Sequence, residues 1–265
     1  MNNIFNYNLS TQDTIPHWDP YTKIFTDINE FTKEYNTRTL FIVGPPNQYN
    51  MRYMWNFRLV INNNEISFTS LEETSNKYDS CIRIFIKNKI GKINYLSQCD
   101  EYSGNKIVEW GIIIIKNLGC NKCILQDISE KKCENRNFTN YTPLSLIHKL
   151  WRDQTYYEKY GFIPIQKNNN NYKKDRSNEL NNLVNKLRVI SWDEIFISDK
   201  KWDKFLSQYK DIYKQSPFLA FQEFRPNKCG EFYDILYLLE NASKSGEIIR
   251  KIKNIISQSN WTLFL

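Results

Sequence analysis

Two histidines and six cysteines are the side chains here best suited to hold a metal or act as nucleophiles, and their spacing limits both chemistries. Cys120-Asn121-Lys122-Cys123 has the Cys-x-x-Cys spacing of half a zinc site, and Cys133 follows ten residues later. A closed tetrahedral site needs a fourth ligand, and His17 and His148 are the only histidines. Cys120 falls at a predicted helix end and Cys123 at the start of an apolar strand, where thiols pack as small hydrophobes. No metal is therefore expected. His148 sits among apolar residues of a predicted helix, the setting of a packed imidazole, and the two histidines offer no triad. The chain has no Walker loop, no dinucleotide fingerprint and no zinc-hydrolase motif.

The stretch Ser145–Ile165, SLIHKLWRDQTYYEKYGFIPI, carries more information. Leu146, Ile147, Leu150, Tyr157 and Tyr160 recur at helical spacing, with Pro143 where a first turn tolerates it. Gly161 follows the last aromatic, as the left-handed residue that closes a helix. Phe162-Ile163-Pro164-Ile165 then reads as a short strand, placed near a sheet edge by Pro164. A helix ending in Tyr157-Glu158-Lys159-x-Gly161-Phe162 resembles the C-terminal motif of the GNAT superfamily of N-acyltransferases, in which that helix feeds the next strand beside bound acetyl-CoA.

The resemblance implies transfer of an acyl group from acetyl-CoA to a small-molecule or protein amine. A backbone amide of the central strand would polarise the thioester carbonyl, and Tyr157 would protonate the leaving thiolate; a phenol is a donor at neutral pH. Tyr157 also suits a core aromatic. The coenzyme's pyrophosphate would rest on Ser103, Gly104, Asn105 and Lys106, read as the loop opening a helix at Ile107, because helix N-termini favour anions. That loop departs from the family pattern: it has one glycine, and Asp100 and Glu101 precede it. An ordinary capped loop fits it equally well. Asp127 and Glu109 are the candidate general bases. The alternative is a non-catalytic GNAT-like module whose basic surface holds nucleic acid or protein.

Composition bounds these readings. With 265 residues, 41% apolar and 15% aromatic, the chain can bury a core. It has 33 Asn and only 2 Ala, the bias of an A/T-rich genome such as that of a large DNA virus or a protist. A net charge of +7 favours an anionic partner, nucleic acid or coenzyme phosphate, although A/T-rich codons also enrich Lys. No secretory signal and no apolar run of about 18 residues is visible, so a soluble, intracellular (cytoplasmic) chain without membrane partners is expected.

The patterning predicts an α/β (α+β) fold, a GNAT-like mixed sheet with flanking helices, followed by a mainly helical C-terminal region. Residues 1–35 form an extension, loose to about residue 20 and then helical over Tyr21–Tyr35. Residues 36–165 form the GNAT-like domain. Strands Thr39–Val43, Tyr53–Ile61, Glu65–Ser70, Cys81–Lys87 and Ile90–Leu96 make an antiparallel meander. Helix Ile107–Leu118, closed by Gly119, and strand Ile124–Ile128 complete a strand–helix–strand crossover. Residues 166–178 are an Asn-rich linker. Residues 179–265 are helical, with faces at Leu180/Leu183/Val184/Leu187, at Trp202 to Tyr213, at Phe232/Ile235/Leu236/Leu239 and at Ile248 to Ile256, and end in a strand over Trp261–Leu265.

Overall fold

The computed structural model describes residues 15–46, 49–52, 54–62, 65–70, 72–74, 77–79, 82–96, 104–126, 130–134, 139–167, 173–195, 203–214, 216–223 and 229–265. It is a mixed α/β protein that divides into two compact units, residues 1–125 with 263–265, and residues 126–262. The division falls after Leu125, and the Asn-rich stretch Gln166–Asn178 lies inside the second unit.

The first unit is built on a sheet. Strands β1 (His17–Trp18), β2 (Thr39–Val43), β3 (Met54–Asn62) and β4 (Glu65–Ser70) are followed by a small separate hairpin, β5 (Glu72–Thr74) and β6 (Lys77–Asp79). Strands β7 (Ile82–Lys87) and β8 (Ile90–Leu96) complete the expected antiparallel meander β2-β3-β4-β7-β8. Alternation sets its two faces, since successive side chains of a strand point to opposite sides. Leu59, Phe68, Ile84 and Ile93 are cross-strand partners in one row and all are buried. Helix α2 (Gly104–Asn117) lies on that apolar face. It approaches closely because two glycines leave room: a Cβ at Gly91 would overlap the Ile115 side chain, and one at Gly111 would come within 2.7 Å of Ile82 Cδ1. Gly119, at φ 70°, closes the helix as expected. Strand β9 (Lys122–Gln126) then pairs in parallel with β8, which completes the strand–helix–strand crossover two residues earlier than the sequence suggested.

The N-terminal extension differs from expectation. Residues 17–18 are not loose: they pair in parallel with Phe41–Ile42, and Trp18 is fully buried. The helix expected over Tyr21–Tyr35 is only α1, Ile28–Glu34. Asp27 starts it, because its carboxylate accepts the backbone N–H groups of Asn29 and Glu30 at 2.7 and 3.0 Å. Ile24, before that cap, is exposed, whereas Phe25 and Phe31 pack edge-on against Trp18. The last three residues of the chain also belong here: Leu265 N–H donates to the Asn121 carbonyl at 3.1 Å, and the Lys122 ammonium lies 5.3 Å from the Phe264 ring.

The second unit opens with a hairpin absent from the sequence reading, β10 (Glu130–Glu134) against β11 (Thr139–Pro143). Helix α3 (Leu144–Arg152) follows, so Pro143 ends a strand and does not enter the helix. Strand β12 (Ile163–Lys167) pairs with β13 (Lys173–Asp175) on one side and with β14 (Asn260–Phe264) on the other. Pro164 is therefore not on an edge strand. The β13 ladder begins only at Ile165, and the Pro164 carbonyl accepts the Arg176 N–H at 2.9 Å. The expected linker is likewise overturned in part: β13 and the start of helix α4 (Ser177–Arg188) occupy its second half.

Helices α5 (Asp203–Ile212), α6 (Leu219–Gln222), α7 (Cys229–Asn241) and α8 (Ser243–Gln258) complete the unit. The apolar faces expected at Leu180/Leu183/Val184/Leu187 and at Phe232/Ile235/Leu236/Leu239 are buried, and α8 packs against both α4 and α7. Ile212 departs from its expected face and is exposed, whereas Tyr209 is buried and its hydroxyl donates to the buried Asp234 carboxylate at 2.9 Å.

Candidate functional site

Of the expected anion-binding loop, Ser103 lies outside the described residues, as do Asp100, Glu101 and the candidate base Asp127. Gly104, Asn105 and Lys106 form the first turn of α2, not a loop before it. The first four N–H groups of a helix have no intrahelical acceptor, so this turn presents donors and the positive end of the helix dipole. No acidic residue lies in it. The Lys106 ammonium donates to the Pro46 carbonyl at 2.7 Å, which fixes the start of α2 to the loop after β2 and leaves the ammonium further donors. Glu109, the other candidate base, is exposed on the same helix.

The strands below α2 have a second feature. The β7–β8 ladder slips by one residue, so that Ile84 faces Ile93 and Arg83 faces Tyr95. Asn94 is the extra residue, and a bulge of this kind kinks its strand. The parallel β8–β9 pairing ends at Ile93–Leu125, although β8 continues to Leu96. The parallel ladder thus ends where β8 is bent, one residue before β9 itself ends at Gln126.

Tyr157 is not on a helix. Helix α3 stops at Arg152, and Asp153 adopts φ 62°, a conformation that Asp tolerates better than most residues. The chain turns and forms a short 3-10 turn over Glu158–Tyr160, closed by Gly161 at φ 85°. Tyr157 immediately precedes that turn and is 4% exposed. Its ring meets Tyr156, Phe162 and Trp261 at centroid distances of 5.2, 6.3 and 6.2 Å. The Trp261 indole N–H is buried there without an acceptor among the described residues.

The turn is held by Glu158 together with Thr155 and Lys149, which the sequence reading passed over. Thr155 N–H donates to Glu158 Oε2 at 2.6 Å, and Glu158 N–H donates to Thr155 Oγ1 at 3.1 Å. This reciprocal pair is a capping box, and its Thr-x-x-Glu spacing was the signal available in the sequence. Lys149, 2% exposed, completes the arrangement. Its ammonium donates to both Glu158 carboxylate oxygens at 3.2 and 3.1 Å, to the Asp153 carbonyl at 3.0 Å and to Asn181 Oδ1 at 2.6 Å. A buried ammonium is tolerable only when paired and hydrogen-bonded, and these acceptors use all three of its donors. Glu158 of the acyltransferase-like motif is thereby committed to Lys149. The cluster floors a surface depression lined also by Arg152, Gln154 and Asn185. His148 is half-buried, its ring 5.6 Å from that of Tyr156.

Cys120 and Cys123 are free and buried. Burial pushes the Cys120 thiol up to about 11, and burial together with Cys120 raises Cys123 further, so neither is a thiolate near neutrality. Among the described residues no three His, Cys, Asp or Glu side chains gather as a metal set, and no helix is long and apolar enough to cross a membrane. In comparison with known proteins, no family model, no curated protein and no solved structure matches this chain.

Proposed function

We propose that this chain is an acetyl-CoA-dependent N-acyltransferase with a GNAT-like domain over residues 36–165, acting on a small-molecule or protein amine. One observation carries the reading: β8 and β9, joined by α2, pair in parallel up to Ile93–Leu125, where β8 bulges at Asn94 and runs on to Leu96. Beyond the end of a ladder the longer strand has backbone groups that can meet a ligand, and the bulge at Asn94 re-aims them. A β8 amide there would polarise the thioester carbonyl. The acid-free first turn of α2, Gly104 to Lys106, would hold the coenzyme's pyrophosphate. In the reaction the neutral amine forms a bond to the acyl carbon and gives up one proton, the carbon–sulfur bond breaks, and the leaving thiolate takes up one proton to become the free thiol. Tyr157 is the residue that the family motif assigns to that last step.

A second reading, a GNAT-like module without acyl transfer, is favoured by the packing of the motif itself. Tyr157 is buried among three aromatic rings, and Glu158 is engaged by Lys149. Isothermal titration with acetyl-CoA separates the two. On the enzyme reading the coenzyme binds, Gly104→Leu abolishes binding with Tm unchanged, and Tyr157→Phe lowers turnover roughly 10²- to 10⁴-fold with coenzyme affinity intact. No binding at millimolar coenzyme leaves the second reading.

A further inference from the structure

The face of the first unit's sheet opposite α2 is exposed and basic. Its outward residues form rows across the strands. Val60, Ser67, Phe85 and Lys92 are successive cross-strand partners, and Thr39, Arg58, Thr69 and Arg83 form the next row. Arg58, Arg83, Lys87 and Lys92 are all exposed on this face. Glu65 is the one carboxylate among its described residues, and it already pairs with Lys87 at 3.2 Å. Arg38 stands at the rim, where a depression runs between residues 36–39 and 58–61. Arg38, Arg58 and Lys92 form no ion pair among the described residues. Between these cations lie apolar surfaces: Phe85 is 37% exposed and Val60 47%.

We propose that this face binds single-stranded nucleic acid. Like charges set one or two strand spacings apart, about 5 to 10 Å, repel unless an anion lies over them. Glu65 supplies it to Lys87, and among the described residues no carboxylate pairs with Arg58 or Lys92. A polyphosphate backbone does, and the arginines can also stack on bases. The apolar component selects the single strand. A duplex would set phosphate ridges over Phe85 and Val60, whereas a single strand can turn the planes of its bases onto them. The rows of Ser67, Thr39 and Thr69 add hydroxyls that bond phosphate or base without demanding a sequence. The surface is independent of the acyltransferase reading, because none of its residues belongs to β8 beyond Ile93 or to the first turn of α2.

The test is fluorescence anisotropy of the full chain with labelled dodecauridylate, against a twelve-base-pair duplex and vesicles of phosphatidylserine and phosphatidylcholine. The single strand should bind more tightly than the duplex and lose affinity as salt rises. Arg58→Ala and Lys92→Ala should each reduce the slope of log K against log salt by roughly 0.7. Phe85→Ala should weaken single-strand binding about fivefold or more with the slope unchanged. These side chains are exposed, so Tm should hold, and Lys251→Ala, on α8, should bind as the parent does. Duplex binding as tight as that of the single strand and indifferent to Phe85→Ala overturns the proposal. So does absence of oligonucleotide binding at 50 mM salt, or capture of the anionic vesicles alone.

Discussion

Lys149 shows how much one side chain decides. Its ammonium joins the end of α3, the Glu158 turn and Asn181 of α4. Breaking a buried pair costs more than the pair contributes, because the partner is left uncompensated. Lys149→Met should therefore lower stability by about 3 kcal/mol, read by urea denaturation. A loss below about 1 kcal/mol would mean that Glu158 finds water instead. Asp27 makes a pH-dependent contribution. Backbone N–H bonds from Glu30 and Asn29 hold its carboxyl below the usual range, so the unfolded chain protonates first as pH falls. Its stabilisation is complete above the unfolded value of about 4 and is lost as pH drops through the lower folded value. Asp27→Ala should have a lower Tm than the parent at pH 7, with the gap closing below about pH 4. A gap that persists unchanged to pH 2 would assign the effect to packing.

At the scale of elements, the close seating of α2 on β7 and β8 controls the first unit. Gly91 and Gly111 admit it, and Ile114 and Ile115 are buried against the sheet side of the unit. Gly91→Ala should cost about 1–3 kcal/mol through overlap with Ile115. The overlapping atoms are all in the Ile115 side chain, so Ile115→Ala should relieve part of the cost. The double variant should then be more stable than the summed single losses by at least about 0.5 kcal/mol in a double-mutant cycle. Strict additivity would mean that the helix shifts as a body. If a thioester is bound at the end of the β8–β9 ladder, the same helix sets its position, and Gly91→Ala would also weaken coenzyme binding.

At the scale of the whole molecule, the chain's two ends matter more than their lengths suggest. Trp18, near the start, is fully buried in the first unit, and Leu263–Leu265, at the end, return to it across more than a hundred intervening residues. Long loop closures of this kind cost entropy only slowly with length, so a distant strand can complete a sheet. Removing Leu263–Leu265 should raise amide exchange in β9 over Lys122–Leu125, because Asn121 loses its bond from Leu265 N–H and Lys122 its contact with Phe264. Unchanged protection of β9 would show that its pairing with β8 suffices.

Local pattern in the sequence determined the meander, the strand–helix–strand crossover, the glycines that close α2 and the Glu158 turn, and the apolar faces of α4 and α7. Each is a short-range signal: alternation for a half-buried strand, helical spacing for a face, a glycine where φ must be positive. Tertiary structure decided the rest. The sequence reading carried the Ser145 helix through Tyr157, because Tyr157 and Tyr160 continue its spacing. The chain breaks at Asp153 because Lys149, Thr155, Glu158 and Asn181 satisfy one another in the broken form, and Asn181 lies 32 residues from Lys149. Residues 17–18 read as polar and loose, yet they pair with β2, and the Asn-rich stretch read as a linker, yet β13 pairs with β12. Periodicity records which side of an element is apolar. It does not record which distant groups will meet a buried ammonium or an open strand edge, and only those meetings set where Tyr157 sits.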